Sequence, residues 1–339
     1  MQIPVELGRN RYQVTVERGI LSRLNTYLNL DRKVLIVTDS GVPAKYAQLV
    51  SNQCKTPVVV TIPQGEESKS LSNFEHLCRT MLVNGFTRTD CVVAVGGGVV
   101  GDLAGFAAAS FMRGIDFYNI HTTILSQVDS SIGGKVAIDL DGIKNCVGAF
   151  YQPKAVLIDP EVLSTLPKRQ IANGLAEAVK MAVNFDEDML SLFEAPDPMA
   201  NLEKIICASL RIKAAVVKED EKERGLRRVL NFGHTIGHGI EAATGFNKLY
   251  HGECVALGML PMCDIKLRNR LKAIFAKLGL PLTCSVDPDI VWDAIGHDKK
   301  LSGENITVVF AHEAGSFELR SMPLLELKET VYSFLNEEV

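Results

Sequence analysis

Several features that would assign this chain to a protein class are missing from it. Its eight cysteines (Cys54, Cys78, Cys91, Cys146, Cys207, Cys254, Cys263 and Cys284) contain no CxxC pair, so a thiolate zinc finger is not expected. They stand in apolar runs and read as small buried hydrophobes. No charge-free apolar stretch reaches the ~18 residues of a spanning helix, so no membrane association is expected. The opening MQIPVELGRNRYQV has no basic segment followed by an apolar one. No secretory leader is therefore expected, and the cytoplasm is the default location. A basic excess is also absent: 36 Lys and Arg against 40 Asp and Glu give a formal net charge of -4, which argues against a nucleic-acid partner. An anionic small molecule stays open as a partner, because local basic clusters can oppose the global sign. There is no internal repeat and no low-complexity tract. What is present is an ordinary globular composition, 47% hydrophobic and 22% charged, over 339 residues. That length suggests about two domains, with ample core and no need of cross-links.

The first half alternates apolar runs with helical patterns. KVLIVTD at 33–39, TPVVVTIP at 56–63 and DCVVAVGGG at 90–98 read as buried strands, and FYNIHTT at 117–123 and AVLIDP at 155–160 as further ones. Helical patterns lie at 42–53 and 69–84. This alternation predicts a parallel sheet with helices on both faces. After about residue 160 the periodicity becomes helical, over 168–183, 187–195, 199–217, 228–244 and 251–266. Pro160 and Pro167 precede the first of these, and Pro196 and Pro198 mark a break before the third. ITVVFA at 306–311 and GSFELR at 315–320 read as a late hairpin. The predicted fold class is an α/β N-terminal domain with a parallel Rossmann-like sheet over residues 1–160. A mainly α-helical C-terminal domain follows over 161–339.

Three constellations carry candidate chemistry. Gly96-Gly97-Gly98-Val99-Val100-Gly101-Asp102 follows a predicted strand and opens a helix, where glycines let a phosphate approach the backbone and the helix N-terminus. It is not GxGxxG, and a tight structural turn is the alternative. Asp39, ending an earlier strand, can take ribose hydroxyls or cap a helix. Glu177, His234 and His251 are one carboxylate and two imidazoles, the donor set of a catalytic zinc with open positions. His238 shares a helix face with His234. No HExxH announces a metal, and hydrogen-bonded core histidines are the alternative. The stretch from Asp129 to Lys135, then Lys144 and Asn145, can hold phosphate or carboxylate on a glycine-bearing loop. Arg113, Lys213, Arg227 and Asn231 add to that or are surface charge.

Taken together these segments resemble the 3-dehydroquinate synthase family, from about residue 30 to 300. The resemblance rests on PQGEESKS, GGGVVGDLAGF, MRGIDF, TTILSQVDSSIGGK, GIKNCVGAFYQP, LPKRQIANGLAEAVK, LNFGHTIGH and HGE, in that order. It implies conversion of 3-deoxy-D-arabino-heptulosonate 7-phosphate to 3-dehydroquinate and phosphate, using NAD and Zn2+, with Co2+ as a substitute. It implies NAD contacts at Asp39, Glu66, Lys69, Gly97, Gly98 and Asp102. Further contacts are implied at Val99, Thr122, Thr123, Thr165, Leu166 and Gln170, and at Lys135 and Lys144, which also face substrate. The implied metal ligands are Glu177, His234 and His251. Lys180, His238, Asp129 and Asn231 take catalytic places, with Lys180 and His238 relaying protons. Arg113, Asn145, Lys213, Arg227 and Lys299 complete the substrate pocket. Arg113 matches a residue that reaches the partner subunit's site, which implies a homodimer. VKMAV after Glu177 and the acidic AIDLDGIKN depart from the family pattern without removing a matched residue. The competing readings are a related sugar-phosphate cyclase, a metal-dependent polyol dehydrogenase, or a non-catalytic binding protein.

Overall fold

β-Branched and leucine side chains crowd the central strands because both faces of the sheet are covered. The computed structural model describes residues 1–223, 225–245, 248–296, 301–302 and 304–337. It divides into two compact units, the first comprising residues 1–167 and 213–221. The strands of this unit are β1 (Gln2–Val5), β2 (Tyr12–Val16), β3 (Lys33–Asp39), β4 (Thr56–Ile62), β5 (Cys91–Gly96), β6 (Asp116–His121), β7 (Lys135–Leu140), β8 (Ile143–Phe150) and β9 (Ala155–Ile158). Its helices are α1 (Ala44–Ser51), α2 (Leu71–Val83) and α3 (Gly98–Ser110). Seven strands form one sheet in the order β1-β2-β9-β6-β5-β3-β4. All neighbours run parallel except β1 against β2. Leu35, Val37, Val92 and Ala94 point to one face, against Leu77 and Met81 of α2 and Leu103 of α3. Val34, Ile36, Val93 and Val95 point to the other, against Tyr46 and Val50 of α1. Each Val, Leu, Ile or Met among them gains about 1.5–3 kcal/mol by burial. After β3 the chain goes to β4 on one side, then to β5 on the other. The carboxyl ends of β3 and β5 therefore flank a topological switch point, where open sheets bind ligands.

Two expectations for this unit need correction. The N-terminal strands β1 and β2 were not anticipated; β1 alternates exposed and buried residues at the sheet's edge, so it lacks a continuous apolar run. The polar stretch expected as a loop forms the antiparallel hairpin β7–β8. Its turn, Asp141-Gly142, has both φ angles positive, the conformation an Asp-Gly pair adopts in tight hairpins. The division between the units follows Pro167, within ten residues of the boundary expected near 160. The turn Pro160–Thr165 sends Val162 into the core with Ile20 and Leu24, and the Val162 carbonyl accepts from Tyr46 Oη at 3.3 Å.

The second unit comprises residues 168–212 and 222–339. It holds α4 (Lys168–Phe185), α5 (Glu187–Glu194), most of α6 (Leu202–Glu219), α7 (His234–Ala243), α8 (His251–Met259), α9 (Ile265–Leu278) and α10 (Pro288–Gly296). A small antiparallel sheet of β10 (Leu301–Ser302), β11 (Asn305–Phe310) and β12 (Glu318–Pro323) precedes α11 (Leu324–Leu335). The expected late hairpin is β11–β12, with its second strand starting three residues later than read. The helix expected over 228–244 is broken: a 3-10 turn at Leu226–Asn231 ends before Gly233, whose φ is +75°, and α7 begins after it. The one expected over 251–266 ends in the 3-10 turn Leu260–Met262, which contains Pro261.

Glycines bring three helices of this unit into backbone contact. A Cβ on Gly252 of α8 would lie 1.9 Å from the Asn173 carbonyl oxygen of α4. One on Gly258 of α8 would lie 2.1 Å from the Gly233 carbonyl, at the start of α7. Gly252→Ala is therefore expected to destabilise the protein by about 1–3 kcal/mol or more in urea unfolding. Gly296→Ala, where a Cβ meets nothing within 4 Å, is expected to change stability by less than about 0.5 kcal/mol.

His121, the last residue of β6, is 1% exposed, and among the described residues neither ring nitrogen has a hydrogen-bond partner. Burial, with the nearby Lys213 ammonium, pushes its pKa down to about 3. The unfolded chain takes up a proton near pH 6.5, so this site costs stability as pH falls through that value. Between pH 7 and pH 5 the loss is expected to be about 2 kcal/mol. His121→Leu should remove it; an unchanged pH dependence of the urea midpoint in that variant would contradict the assignment.

Candidate functional site

In the first unit, side chains from three segments meet around Lys69. Its buried ammonium lies 2.9 Å from Asp102 Oδ2 on α3 and 3.2 Å from Glu66 Oε1 in the preceding 3-10 turn. The Asn145 side-chain oxygen, on β8, closes the group. Asn145 adopts φ +55°, a strained value for a side chain, and its N–H donates to Asp139 Oδ1 at 2.7 Å. The Asp139 N–H in turn donates to the Lys69 carbonyl at 2.7 Å, which pins the hairpin to the 66–69 turn. Burial pushes the Asp102 carboxyl up to about 6; Lys69 opposes this, and Glu66 and Asp139 reinforce it.

The β5–α3 turn lies beside this cluster. A Cβ on Gly97 would come 3.1 Å from Thr123 Cγ2, and one on Gly98 would meet only Ser130 Oγ, at 3.6 Å. No side chain of these residues stands over the first turn of α3, whose N–H groups have no acceptor within the helix. Val99 packs instead toward the core between α2 and α3. The Thr122 N–H donates to the Gly96 carbonyl at 2.9 Å, and Thr123 Oγ1 bonds Ser126 Oγ at 2.9 Å. Asp39 does not cap α1. Its Oδ1 accepts from the N–H groups of Gly41 at 2.8 Å and Val42 at 3.1 Å, and burial raises its pKa. It lines a cleft of about 510 Å3 with Pro43, Ala47, Val59 and Thr61. Asp129 is paired with Lys213, Nζ to Oδ1 2.7 Å. Lys135 and Lys144 are exposed on the hairpin, and Arg113 is exposed on a turn where it and Met112 both have positive φ. Thr165 Oγ1 meets Tyr46 Oη at 3.1 Å, and Leu166 is half-buried.

The second unit gathers Glu177 of α4, His234 and His238 of α7, and His251 of α8. Glu177 is 1% exposed, and among the described residues neither of its oxygens accepts a hydrogen bond. The Lys180 ammonium, one turn on and equally buried, forms an ion pair with Oε2. Oε1 faces His234 Nε2 at 3.6 Å and His251 Nε2 at 3.5 Å. On the far side of each ring stands an acceptor: the Phe232 carbonyl, 3.1 Å from His234 Nδ1, and Glu241 Oε2, 2.9 Å from His251 Nδ1. Burial opposes ionisation of Glu177, but Lys180 and the two imidazoles hold its pKa well below the usual range. Burial and Lys180 depress His234. His251 is raised to about 10, because Glu177 and Glu241 outweigh burial. A tetrahedral site with bonds of about 2.0–2.1 Å has ligand atoms about 3.3–3.4 Å apart, close to the observed separations. The unbonded, buried Glu177 oxygen and the two inward Nε2 atoms therefore suit a zinc-like cation. The donor atoms of His234, His238 and His251 also lie within 4.8 Å of one another, so His238 stands at the edge of the same cluster.

Arg227 is buried in the turn before α7, Asn231 Nδ2 donates to Glu223 Oε1 at 3.2 Å, and Gln170 Oε1 accepts from Asn173. Lys299 lies outside the described residues. Sequence reading passed over Glu241, although it follows His234 by seven positions and so shares its helix face. No helix among the described residues is long and apolar enough to cross a membrane.

Comparison with known proteins places these residues in context. The family profile described as 3-dehydroquinate synthase N-terminal matches residues 59–173, and that described as 3-dehydroquinate synthase C-terminal matches residues 174–301. A 3-dehydroquinate synthase of Symbiobacterium thermophilum is 44% identical over 324 residues, covering 88% of this chain and 90% of that one. One from Streptococcus thermophilus is 38% identical over 353 residues, covering 97% and 99%. Among solved structures, 2-deoxy-scyllo-inosose synthase complexed with carbaglucose-6-phosphate, NAD+ and Co2+ superposes with a TM-score of 0.85 at 28% identity, covering 98% of this chain and 99% of that one. With both profiles matched end to end and relatives this similar over nearly the whole chain, the protein belongs to the 3-dehydroquinate synthase family of cyclases.

Proposed function

We propose that this chain converts 3-deoxy-D-arabino-heptulosonate 7-phosphate to 3-dehydroquinate and inorganic phosphate, as a phosphate-eliminating lyase working in the cytoplasm as a homodimer. The observation that carries the reading is the buried Glu177 carboxylate facing two imidazole Nε2 atoms, in a chain similar throughout to 3-dehydroquinate synthases. When bound, NAD supplies a reversible hydride acceptor, and Zn2+ or Co2+ supplies a Lewis acid for a substrate oxygen. In this reading residues 1–160 hold NAD, and residues 161–339 hold the metal and most of the substrate.

Asp39 is suited to ribose hydroxyls, and the uncovered backbone at Gly97 and Gly98 to a pyrophosphate. Glu66, Lys69, Asp102, Thr122 and Thr123 shape the rest of that groove, with Val99, Thr165, Leu166 and Gln170 as further contacts. Glu177, His234 and His251 are the proposed metal ligands. Lys180 keeps the Glu177 carboxylate ionised and, with the exposed His238, is proposed to pass a proton to or from a substrate oxygen. Asp129 and Asn231 orient the substrate. Lys135, Lys144, Asn145, Lys213, Arg227 and Lys299 supply positive or polar groups for its phosphate and carboxylate, and Arg113 does so for the partner's site. Each charge-assisted bond of this kind is worth about 1.5–3 kcal/mol.

The chemistry has a signature that separates a cyclase from a dehydrogenase. Oxidation of the C5 hydroxyl serves only to acidify the neighbouring C6 proton, so the hydride has to return within the same turnover. Purified protein given the heptulosonate phosphate is expected to release one phosphate per carbocycle without stoichiometric NADH. Deuterium at C5 should remain largely in the product. NADH accumulating one-for-one with product, with phosphate still on the sugar, would overturn the assignment in favour of a polyol dehydrogenase.

A further inference from the structure

Resting on the metal-binding reading of Glu177, His234 and His251, we infer that Glu241 is a positioning residue. Its carboxylate fixes the tautomer and ring orientation of His251, so that Nε2 presents a lone pair to the ion.

The backbone of His251 is held independently of its ring. It is the first residue of α8, and the next residue is clamped to α4: the Gly252 N–H donates to Asn173 Oδ1 at 2.7 Å. The Tyr250 N–H donates to Glu253 Oε2 at 2.8 Å, and Arg169 grips both oxygens of Glu253, at 2.6 and 2.7 Å. What remains free is rotation of the imidazole and the choice of which nitrogen carries the proton. Glu241 settles both. Glu241 is 8% exposed, and its carboxylate stands 2.9 Å from His251 Nδ1. An ionised carboxylate only accepts, so Nδ1 keeps its proton, and the proton that the ring gives up to a cation is the one on Nε2, which leaves the lone pair there. Nε2 is the atom that faces Glu177 Oε1, at 3.5 Å. The Phe232 carbonyl does the same for His234 from 3.1 Å, but an uncharged acceptor polarises a ring less than a carboxylate does.

Placement on the helix adds a second consequence. His234 and Glu241 lie seven residues apart on α7, hence on one face. One rigid helix therefore carries a ligand in its first turn and the partner of another ligand two turns on. The relative position of His234 and His251 is thereby set by α7 itself as well as by the glycine contacts between α7 and α8.

The test uses the full-length apoprotein titrated with Zn2+ alone, or Co2+ alone, against a chromogenic chelator. Glu241→Gln keeps the side-chain shape; Glu241→Ala removes it; His234→Ala serves as the ligand control. Glu241→Gln and Glu241→Ala are expected to weaken metal binding by about 10- to 100-fold and to alter the visible spectrum of the Co2+ form, with His234→Ala losing more. The far-ultraviolet circular dichroism of Glu241→Gln should stay that of the parent. Binding within twofold of the parent in Glu241→Gln, with an unchanged Co2+ spectrum, would overturn the inference provided that His234→Ala still loses the ion. Were His234→Ala also to bind normally, the metal-binding reading itself would fall, a result distinct from failure of the positioning role alone.

Discussion

A carboxylate with both oxygens out of water cannot remain charged without compensation, since an isolated buried ion costs far more than a protein's net stability. Glu177 is in that situation, and much of the second unit can be understood from how it is met. Lys180 answers one oxygen from the next turn of α4. The other faces two imidazoles borne by α7 and α8, and those helices come close enough only because glycines line the contacts. Even so, Oε1 accepts no hydrogen bond from the described residues. A divalent ion shared with the two Nε2 atoms would answer that remaining oxygen. The packing and the donor set are thus two aspects of one constraint: the glycines matter because of the charge they bring together.

The first unit meets a comparable demand differently. Lys69 is buried, yet it has two carboxylates and an amide oxygen around it, drawn from the 66–69 turn, α3 and β8. Its position beside the first turn of α3 ties the hairpin β7–β8 to the carboxyl end of the sheet. That end carries the glycine turn and, at the tip of β3, Asp39. A parallel sheet with a switch point between β3 and β5 puts the open backbone of one strand end near the acidic residue of another. The groove follows from topology, and its chemistry from residues at the strand ends.

Much of this was legible in the sequence, for physical reasons that also explain the misses. β3 and β5 are buried on both faces, so their residues form unbroken apolar runs that no helix period disturbs. The hairpin was missed because β8 is exposed along almost its whole length and so shows no alternation of buried and exposed residues, although Asp141-Gly142 marks its turn. The break before α7 was missed because the apolar period continues across Gly233. The positive φ of Gly233, with Met259 Cγ and the Val255 carbonyl oxygen 2.6 and 2.7 Å from where a Cβ would lie, explains the glycine. Glu177, His234 and His251 were singled out by resemblance; spacing alone left them open as core residues. The ion pair of Glu177 with Lys180 is readable as an i, i+3 pair, whereas Lys69 meeting Asn145, 76 positions away, is a product of the fold.

The ligand set is the claim on which the rest turns, and anomalous diffraction at the zinc edge from crystals of the metal-loaded protein tests it most directly. The expected result is one ion bound by a Glu177 oxygen and by Nε2 of His234 and His251, with His238 outside the coordination sphere. An ion held by His234, His238 and His251 with Glu177 still paired only to Lys180, or no ion at this cluster, would contradict the account.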